Sequence, residues 1–333
     1  MLDDRKAAIL RAVVEEYIST ADPVGSARVA NASEIAVSPA TVRNEMAVLE
    51  REGYLVQPHT SAGRIPTDKG YRYFVDQLAG PGALEPSKRN QVRQFFAKAH
   101  GQLEQMLADT SQLLAGLTDY AAVVLGPPHE AATVRSVQLV GLSARVGMVV
   151  AVLSNGVVER AQVEFPEDVP EEMLGRVSRH LSQSLVGKTF GASTEPPSIG
   201  SAQENVLAKT ALAALLEAPE AESDQVFVGG VSRMAQAFEA VDTVRKVLRT
   251  LEQQYVVVGL LRDLMDRGVS VAIGTEHGVQ PLAECSIVVA PYEVEGERLG
   301  TIGVLGPTRM HYPEALSAVA VVSRRLGERL SAG

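Results

Sequence analysis

The sequence predicts an α+β fold of more than one domain, headed by a small helical module. Three observations predict it. The chain has 333 residues, well beyond a typical domain of roughly 150. Short, capped helices followed by a strand and a polar loop fill the first 80 residues. Farther along, runs of apolar alternation are flanked by long helical periodicities.

Residues 2–20 read as a helix, with Ile9, Leu10, Val13, Val14, Tyr17 and Ile18 at helical spacing and Asp3 and Asp4 at its positive end. Asp22-Pro23 breaks it. Residues 24–30 form a second, short helix and 31–37 a turn. The third helix is the most informative. Ser38 is a good N-cap, Pro39 suits the first helical position, and Gly53 supplies a left-handed terminator. At about 100° per residue, Val42, Met46 and Leu49 fall within roughly 60° of one another and form a core stripe. Ala40, Arg43, Asn44, Ala47 and Arg51 fall opposite. Three such helices make a helix-turn-helix. Tyr54-Leu55-Val56 then reads as a strand, and 57–67 as a polar loop with two prolines and a glycine, which completes a winged helix. Thr67 caps a helix over 68–78.

Gly80-Pro81-Gly82 is a linker, and 87–117 reads as one long helical segment. Strands follow at 134–142, 147–153 and 157–165, with a hairpin signal at Ser154-Asn155-Gly156. After Pro166 the pattern changes to helices at 170–185 and 201–217, a loop at 191–200, a strand at 225–230, and helices at 231–240 and 243–251. Strands resume at 267–274, 285–293 and 298–306, and a last helix spans 312–330. This gives a head at 1–80, a sensor-like α+β domain at 81–165 and 256–333, and an insertion at 166–255.

The apolar share of 46% is enough for real cores. The single cysteine, Cys285, allows no internal disulfide and no cysteine metal site, which fits a reducing compartment. The N-terminus lacks signal-peptide character, and the apolar run at 146–153 is too short to span a bilayer. A cytoplasmic, soluble protein with no membrane partner is expected. A net charge of −9 argues against a nucleic-acid partner, but local charge decides docking. Residues 53–72 hold Arg64, Lys69 and Arg72 against Asp68 alone. Such a small patch would grip phosphate weakly, so two copies on a dimer are expected.

On this reading Arg43 and Asn44 contact base edges, because the exposed N-terminal part of a recognition helix meets them. Ala40 lets the backbone approach, and Arg51 lies nearer phosphate. Ser38 and Thr41 cap the helix and can also donate to phosphate. Arg64, at the loop tip beside flexible Gly63, enters the minor groove or meets phosphate. His59 belongs to the same surface, chiefly as a hydrogen-bond partner that shapes the loop. Catalysis is not expected: the six histidines are scattered without metal-ligand spacing, and Cys285 falls in a buried strand. Gly229-Gly230 is not followed by the Lys-Ser/Thr of a phosphate loop. Gly274-Thr275-Glu276-His277-Gly278 reads as a turn in preference to a pocket lining. No cofactor or metal is expected.

Several stretches resemble a known family. They are Tyr17-Ile18-Ser19-Thr20-Ala21-Asp22-Pro23-Val24-Gly25-Ser26, Ser38-Pro39-Ala40-Thr41-Val42-Arg43-Asn44-Glu45-Met46, and, most specific, Pro58-His59-Thr60-Ser61-Ala62-Gly63-Arg64-Ile65-Pro66-Thr67 continuing to Gly70-Tyr71-Arg72. Ile273-Gly274-Thr275-Glu276 and the run from Gly300 to Met310 match near the C-terminal end. Together they resemble the HrcA family of heat-inducible transcription repressors. The resemblance implies a winged-helix domain, a GAF-like domain and an inserted dimerising domain. It also implies negative regulation of class I heat-shock genes by a homodimer on double-stranded DNA, at an inverted-repeat CIRCE operator, with the GroEL chaperonin assisting the active form. The alternative is a regulator gated by a small molecule in the GAF-like domain.

Overall fold

The computed structural model describes residues 2–31, 37–59, 62–78, 80, 82–98, 103–127, 132–154, 158–190, 200–217, 226–233, 238, 241–267, 270–294 and 296–331. Most of the turn expected at 31–37, the hairpin tip at 155–157, the loop at 191–199 and most of the helix expected at 231–240 lie outside the described residues.

The head starts with α1 (Asp4–Thr20). Asp3 caps it by accepting from the Lys6 amide at 2.9 Å, and Ala21 ends it in the left-handed region at φ 58°. α2 (Ser26–Ala30) is shorter than expected, because Val24 is extended and forms a two-way bridge with Arg64. α3 (Pro39–Arg51) begins as its residues dictate: the Ser38 hydroxyl accepts from the Thr41 amide at 3.2 Å. Gly53, at φ 80°, takes the left-handed position just past its end. Val42, Met46 and Leu49 are buried on the side packed against α1 and α2, each contributing ~1.5–3 kcal/mol of transfer free energy. β1 (Leu55–Val56) pairs antiparallel with β2 (Ile65–Pro66), and α4 (Asp68–Asp76) follows, capped by Thr67. Sequence reading left β2 inside a loop, since two residues ending in proline show no alternation.

Two helices, α5 (Pro86–Lys98) and α6 (Leu103–Thr118), stand where one long segment was expected. Next comes β3 (Ala121–Leu125), buried throughout and not anticipated, since a short unbroken apolar run has no strand period. β4 (Val134–Ser143), β5 (Val146–Leu153) and β6 (Val158–Glu164) form an antiparallel three-stranded sheet of their own. α7 (Glu171–Leu185) and α8 (Ala202–Glu217) cover its inner face. There Leu139, Val149, Ala151 and Val163 share a core with Val177, Leu181 and Ala211.

β7 (Val226–Gly229), α9 (Val241–Glu252), α10 (Gln254–Asp266), β8 (Val271–Ile273), β9 (Cys285–Val294), β10 (Glu297–Pro307) and α11 (Tyr312–Ser331) complete the chain. A five-stranded sheet runs in the order β7-β3-β10-β9-β8, with β9 antiparallel to both of its neighbours. α11 lies against β9, so close at Gly327 that a Cβ would strike the Glu293 carbonyl. α10 was not foreseen.

The chain divides into two compact units. One comprises Met1–His100, Ala108–Val124 and Val226–Gly333, and the other Gly101–Leu107 and Leu125–Gln225. This corrects the insertion expected at 166–255. β4–β6 bury their inner face on α7 and α8 and belong with them, whereas β7 and α9 belong with the five-stranded sheet. The change at Pro166 is the turn between β6 and α7, not a domain boundary.

Within the first unit, α4 joins the head to the five-stranded, GAF-like body. Arg72 donates through Nη2 to the Val271 carbonyl at 2.7 Å and through Nε to Glu276 at 2.9 Å, with a second ion-pair contact to the other Glu276 oxygen. Asp68 accepts from the Thr275 amide at 3.2 Å and its hydroxyl at 3.3 Å. Gly274 sits at φ 55°, and a Cβ there would collide with the Asp68 carboxylate. The Tyr71 ring lies 6.0 Å from that of Tyr312, which is fully buried and donates to the Thr308 carbonyl.

Burial works against the charge on Glu276, but the Arg72 guanidinium and the Ile273 amide outweigh it and hold the carboxyl below the ordinary glutamate range. Its contribution to stability is therefore complete at neutral pH and is lost as the pH falls through the depressed value. Glu276→Ala should destabilise the protein by on the order of 1–2 kcal/mol at pH 7 in denaturant unfolding. The deficit should narrow as the pH drops below about 4.3. A deficit independent of pH would show that the charge is irrelevant to the joint.

Candidate nucleic-acid interface

The side of α3 opposite its core stripe is open. Ser38, Ala40, Arg43, Asn44 and Arg51 are exposed and Thr41 is half-buried. The Ser38 and Thr41 hydroxyls lie 3.0 Å apart, so the capping group and its neighbour share one polar corner at the start of the helix. Among the described residues neither Arg43 nor Arg51 has an ion-pair partner. Arg43, Asn44 and Ala40 thus present donors and a low side chain on one open face, and Arg51 lies two turns farther along.

The basic stretch at 53–72 is arranged differently from expectation. Arg64 is not at the loop tip. Its amide and carbonyl both bond to Val24 at 2.9 Å, at the root of the wing. Its side chain is only 14% exposed and meets Glu50 of α3 through Nε and Nη2, each at 2.9 Å. Gly63 is not a flexible hinge: it passes so close to the Val24 backbone that any Cβ would clash. Lys69 donates to the Glu52 carbonyl at 2.8 Å and stands 4.2 Å over the Tyr54 ring. Arg72 is committed to the joint with Glu276. All three cations of the expected patch are therefore spent inside the chain.

These ties build the wing. Arg64 pins its root to α3, Lys69 closes the end of α3, and the Gln57 amide donates to the Ala62 carbonyl at 2.9 Å across the loop. His59 is exposed and shapes the loop with its main chain, its carbonyl accepting from the Ala62 amide at 2.9 Å. Thr60 and Ser61 lie outside the described residues. Sequence reading missed Glu50 as the partner of Arg64. The pair crosses the wing, so no fixed spacing announces it. The one available signal was that the last turn of α3 must face the strand it leads into.

The rest of the first unit offers packing groups. Cys285 is buried in β9, where burial pushes its thiol up to about 12. The 274–278 stretch is a 3₁₀ turn, Gly274–His277. Burial lowers the His277 pKa, the Val279 amide donates to Nδ1, and Nε2 faces the Leu282 carbonyl at 3.0 Å. Among the described residues no group of histidine, cysteine and carboxylate side chains is placed to hold a metal ion. No helix among them is long and apolar enough to cross a membrane.

An open third helix, a tied wing behind it and a GAF-like body with a separate sheet module define a winged-helix transcription regulator. The profile of the HrcA protein C-terminal domain matches residues 104–316. A heat-inducible transcription repressor HrcA of Moorella thermoacetica is 38% identical, over 99% of this chain and 98% of its own. Another, from Acidothermus cellulolyticus, is 39% identical, over 99% of both chains. A crystal structure of a protein described as hypothetical superposes with a TM-score of 0.69 at 25% identity, covering 100% of this chain and 99% of that one. The chain belongs to the HrcA family of heat-inducible transcription repressors.

The Arg64–Glu50 tie can be tested by a double-mutant cycle. Arg64→Ala and Glu50→Ala should each lower stability in urea unfolding, and the coupling between them should be on the order of 1 kcal/mol. Additive losses would mean that the two side chains do not support the wing together.

Proposed function

We propose that the protein represses heat-shock genes by binding, as a homodimer, a double-stranded inverted-repeat operator of the CIRCE type. The observation that carries this reading is the exposed face of α3. It offers Arg43 and Asn44 beside Ala40, while the nearby cations are tied inward. Arginine and asparagine are the side chains suited to bidentate contacts with guanine and adenine edges in the major groove. Ser38, Thr41 and Arg51 supply phosphate contacts that fix register. Arg64 serves as a support that holds the wing loop in place, and His59 stands on that loop near the backbone.

The dimer reading has its own support. β5 alternates fully buried and half-buried positions and is apolar on both faces. Its outward residues Val146, Met148, Val150 and Val152 run along the sheet face opposite α7 and α8. Val140 beside them on β4 is 47% exposed and Val158 on β6 is 51% exposed. A central strand that is apolar on both faces needs a second cover, and a second copy of the same sheet supplies one with matching chemistry. Assistance by a GroEL-type chaperonin is part of the proposal through family membership alone.

Arg43→Ala should weaken operator binding by ~1–3 kcal/mol in gel-shift titrations at fixed salt and relax the preference for the operator over a scrambled duplex. Unchanged affinity and selectivity would remove Arg43 from base reading. Met148→Glu should give a monomer in sedimentation experiments and depress binding to the full palindrome far more than to a half-site. A dimer that survives this substitution would place the pairing surface elsewhere.

A further inference from the structure

A cleft of about 400 Å³ opens between α5 and α11, beside the segment that leads out of the head. Arg89 and Arg93 of α5 and Arg324 and Arg325 of α11 line it, with Leu84 and Val321 between them. Among the described residues no acidic side chain belongs to its lining. In a chain of net charge −9, four guanidinium groups around one small cavity do not follow from composition. α5 contributes strongly, since it carries four cations and no acid.

The arrangement costs free energy when empty of counter-charge. Arg89 and Arg93 stand one turn apart on the same helix, a spacing at which like charges repel. Arg324 and Arg325 add two more cations from across the cleft. Internal relief is partial. Arg325 pairs with Glu328 at 2.7 Å, and Arg89 donates one bond to the Leu84 carbonyl at 3.0 Å. Lys88, next to Arg89, is taken by Glu314 and by the Leu117 carbonyl. Among the described residues Arg93 and Arg324 have no ion-pair partner.

We propose that this cleft binds a small anion bearing two or more phosphoryl groups. Guanidinium forks match phosphate oxygens bidentately and keep their charge at any working pH. With Arg325 paired to Glu328, three guanidiniums remain without a carboxylate among the described residues. One phosphate brings at most about two negative charges, too few for them, whereas a linked pair or triplet of phosphates matches them. The volume lies within the range of small-molecule sites, and a confined cleft favours a compact anion over a duplex. The residues are separate from the open face of α3, so this inference stands independently of the operator reading.

The test is calorimetric titration of the full chain with sodium tripolyphosphate, and separately with inorganic phosphate, at constant ionic strength. Tripolyphosphate should bind saturably, one per chain, at least about tenfold more tightly than monophosphate. The double substitution Arg93→Ala and Arg324→Ala should weaken it at least about tenfold. Both side chains are exposed, so folding should survive, and the lysine pair Arg93→Lys and Arg324→Lys keeps the charge but loses the fork. That pair should give an intermediate loss. Arg43→Ala on α3 should bind tripolyphosphate as the unsubstituted protein does. Absence of saturable binding, undiminished binding by both double variants, or loss of binding in Arg43→Ala would overturn the proposal. So would equal affinity for mono- and tripolyphosphate. Displacement of tripolyphosphate from the cleft by a single-stranded oligonucleotide at lower concentration would assign the cleft to nucleic acid instead.

Discussion

α4 is held from both sides, and the placement of everything before it depends on that. One side completes the head, where Tyr71, Phe74 and Val75 are buried and the helix packs on α1. The other meets the turn after β8 through Asp68 and Arg72. A hydrogen-bonded charged pair on one side and a pair of aromatic rings on the other give the joint both direction and hold. Charged contacts fix angles well but add little net stability in partly exposed places, so the burial of Tyr71 and Tyr312 supplies much of the adhesion.

The use of charge in the head follows from the same economy. Arg64, Lys69 and Arg72 hold three parts of the chain together: the wing root, the end of α3 and the body. What remains facing outward is sparse and specific. A surface with few free cations gains little from non-specific attraction to phosphate, because that attraction scales with the number of phosphates neutralised. On the proposed reading, discrimination would then rest on directional contacts at base edges and on having two heads in one assembly. An overall negative chain is compatible with this, since it suppresses loose binding away from the cognate sequence.

Local rules in the sequence predicted much of the head. Ser38, Pro39 and Gly53 determine a helix by caps alone, and Val42, Met46 and Leu49 tell its inner face. The three strands from Val134 to Glu164 and the final helix were also legible, because their periods are clean. The turn residues Ser154-Asn155-Gly156 also announced the antiparallel pairing of β5 with β6. Long-range association was not legible: that α7 and α8 cover β4–β6, while β7 crosses to β3, depends on which apolar faces meet over long separations, and no period encodes it. β3 and α10 escaped because their apolar residues lack contrast. In the candidate interface, residue type suggested that every arginine near the wing faces DNA. Burial reversed this for Arg64: its backbone is locked to Val24 and its side chain to Glu50, and both partners are remote in sequence.

The fastening of α4 has a bearing on how such a molecule would measure its target. A reading module on a slack tether adapts to a range of half-site separations, paying only in chain entropy. A module bolted to its body does not. On the proposed reading of a paired repressor, each α3 would then keep one fixed orientation to its own five-stranded body, as a blade does to its handle. Each added base pair turns one half-site roughly a tenth of a revolution away from its reader. Under that reading a changed half-site spacing finds no slack at the neck of the head: the duplex would have to twist to restore the match, or the bolt at Arg72 would have to give way.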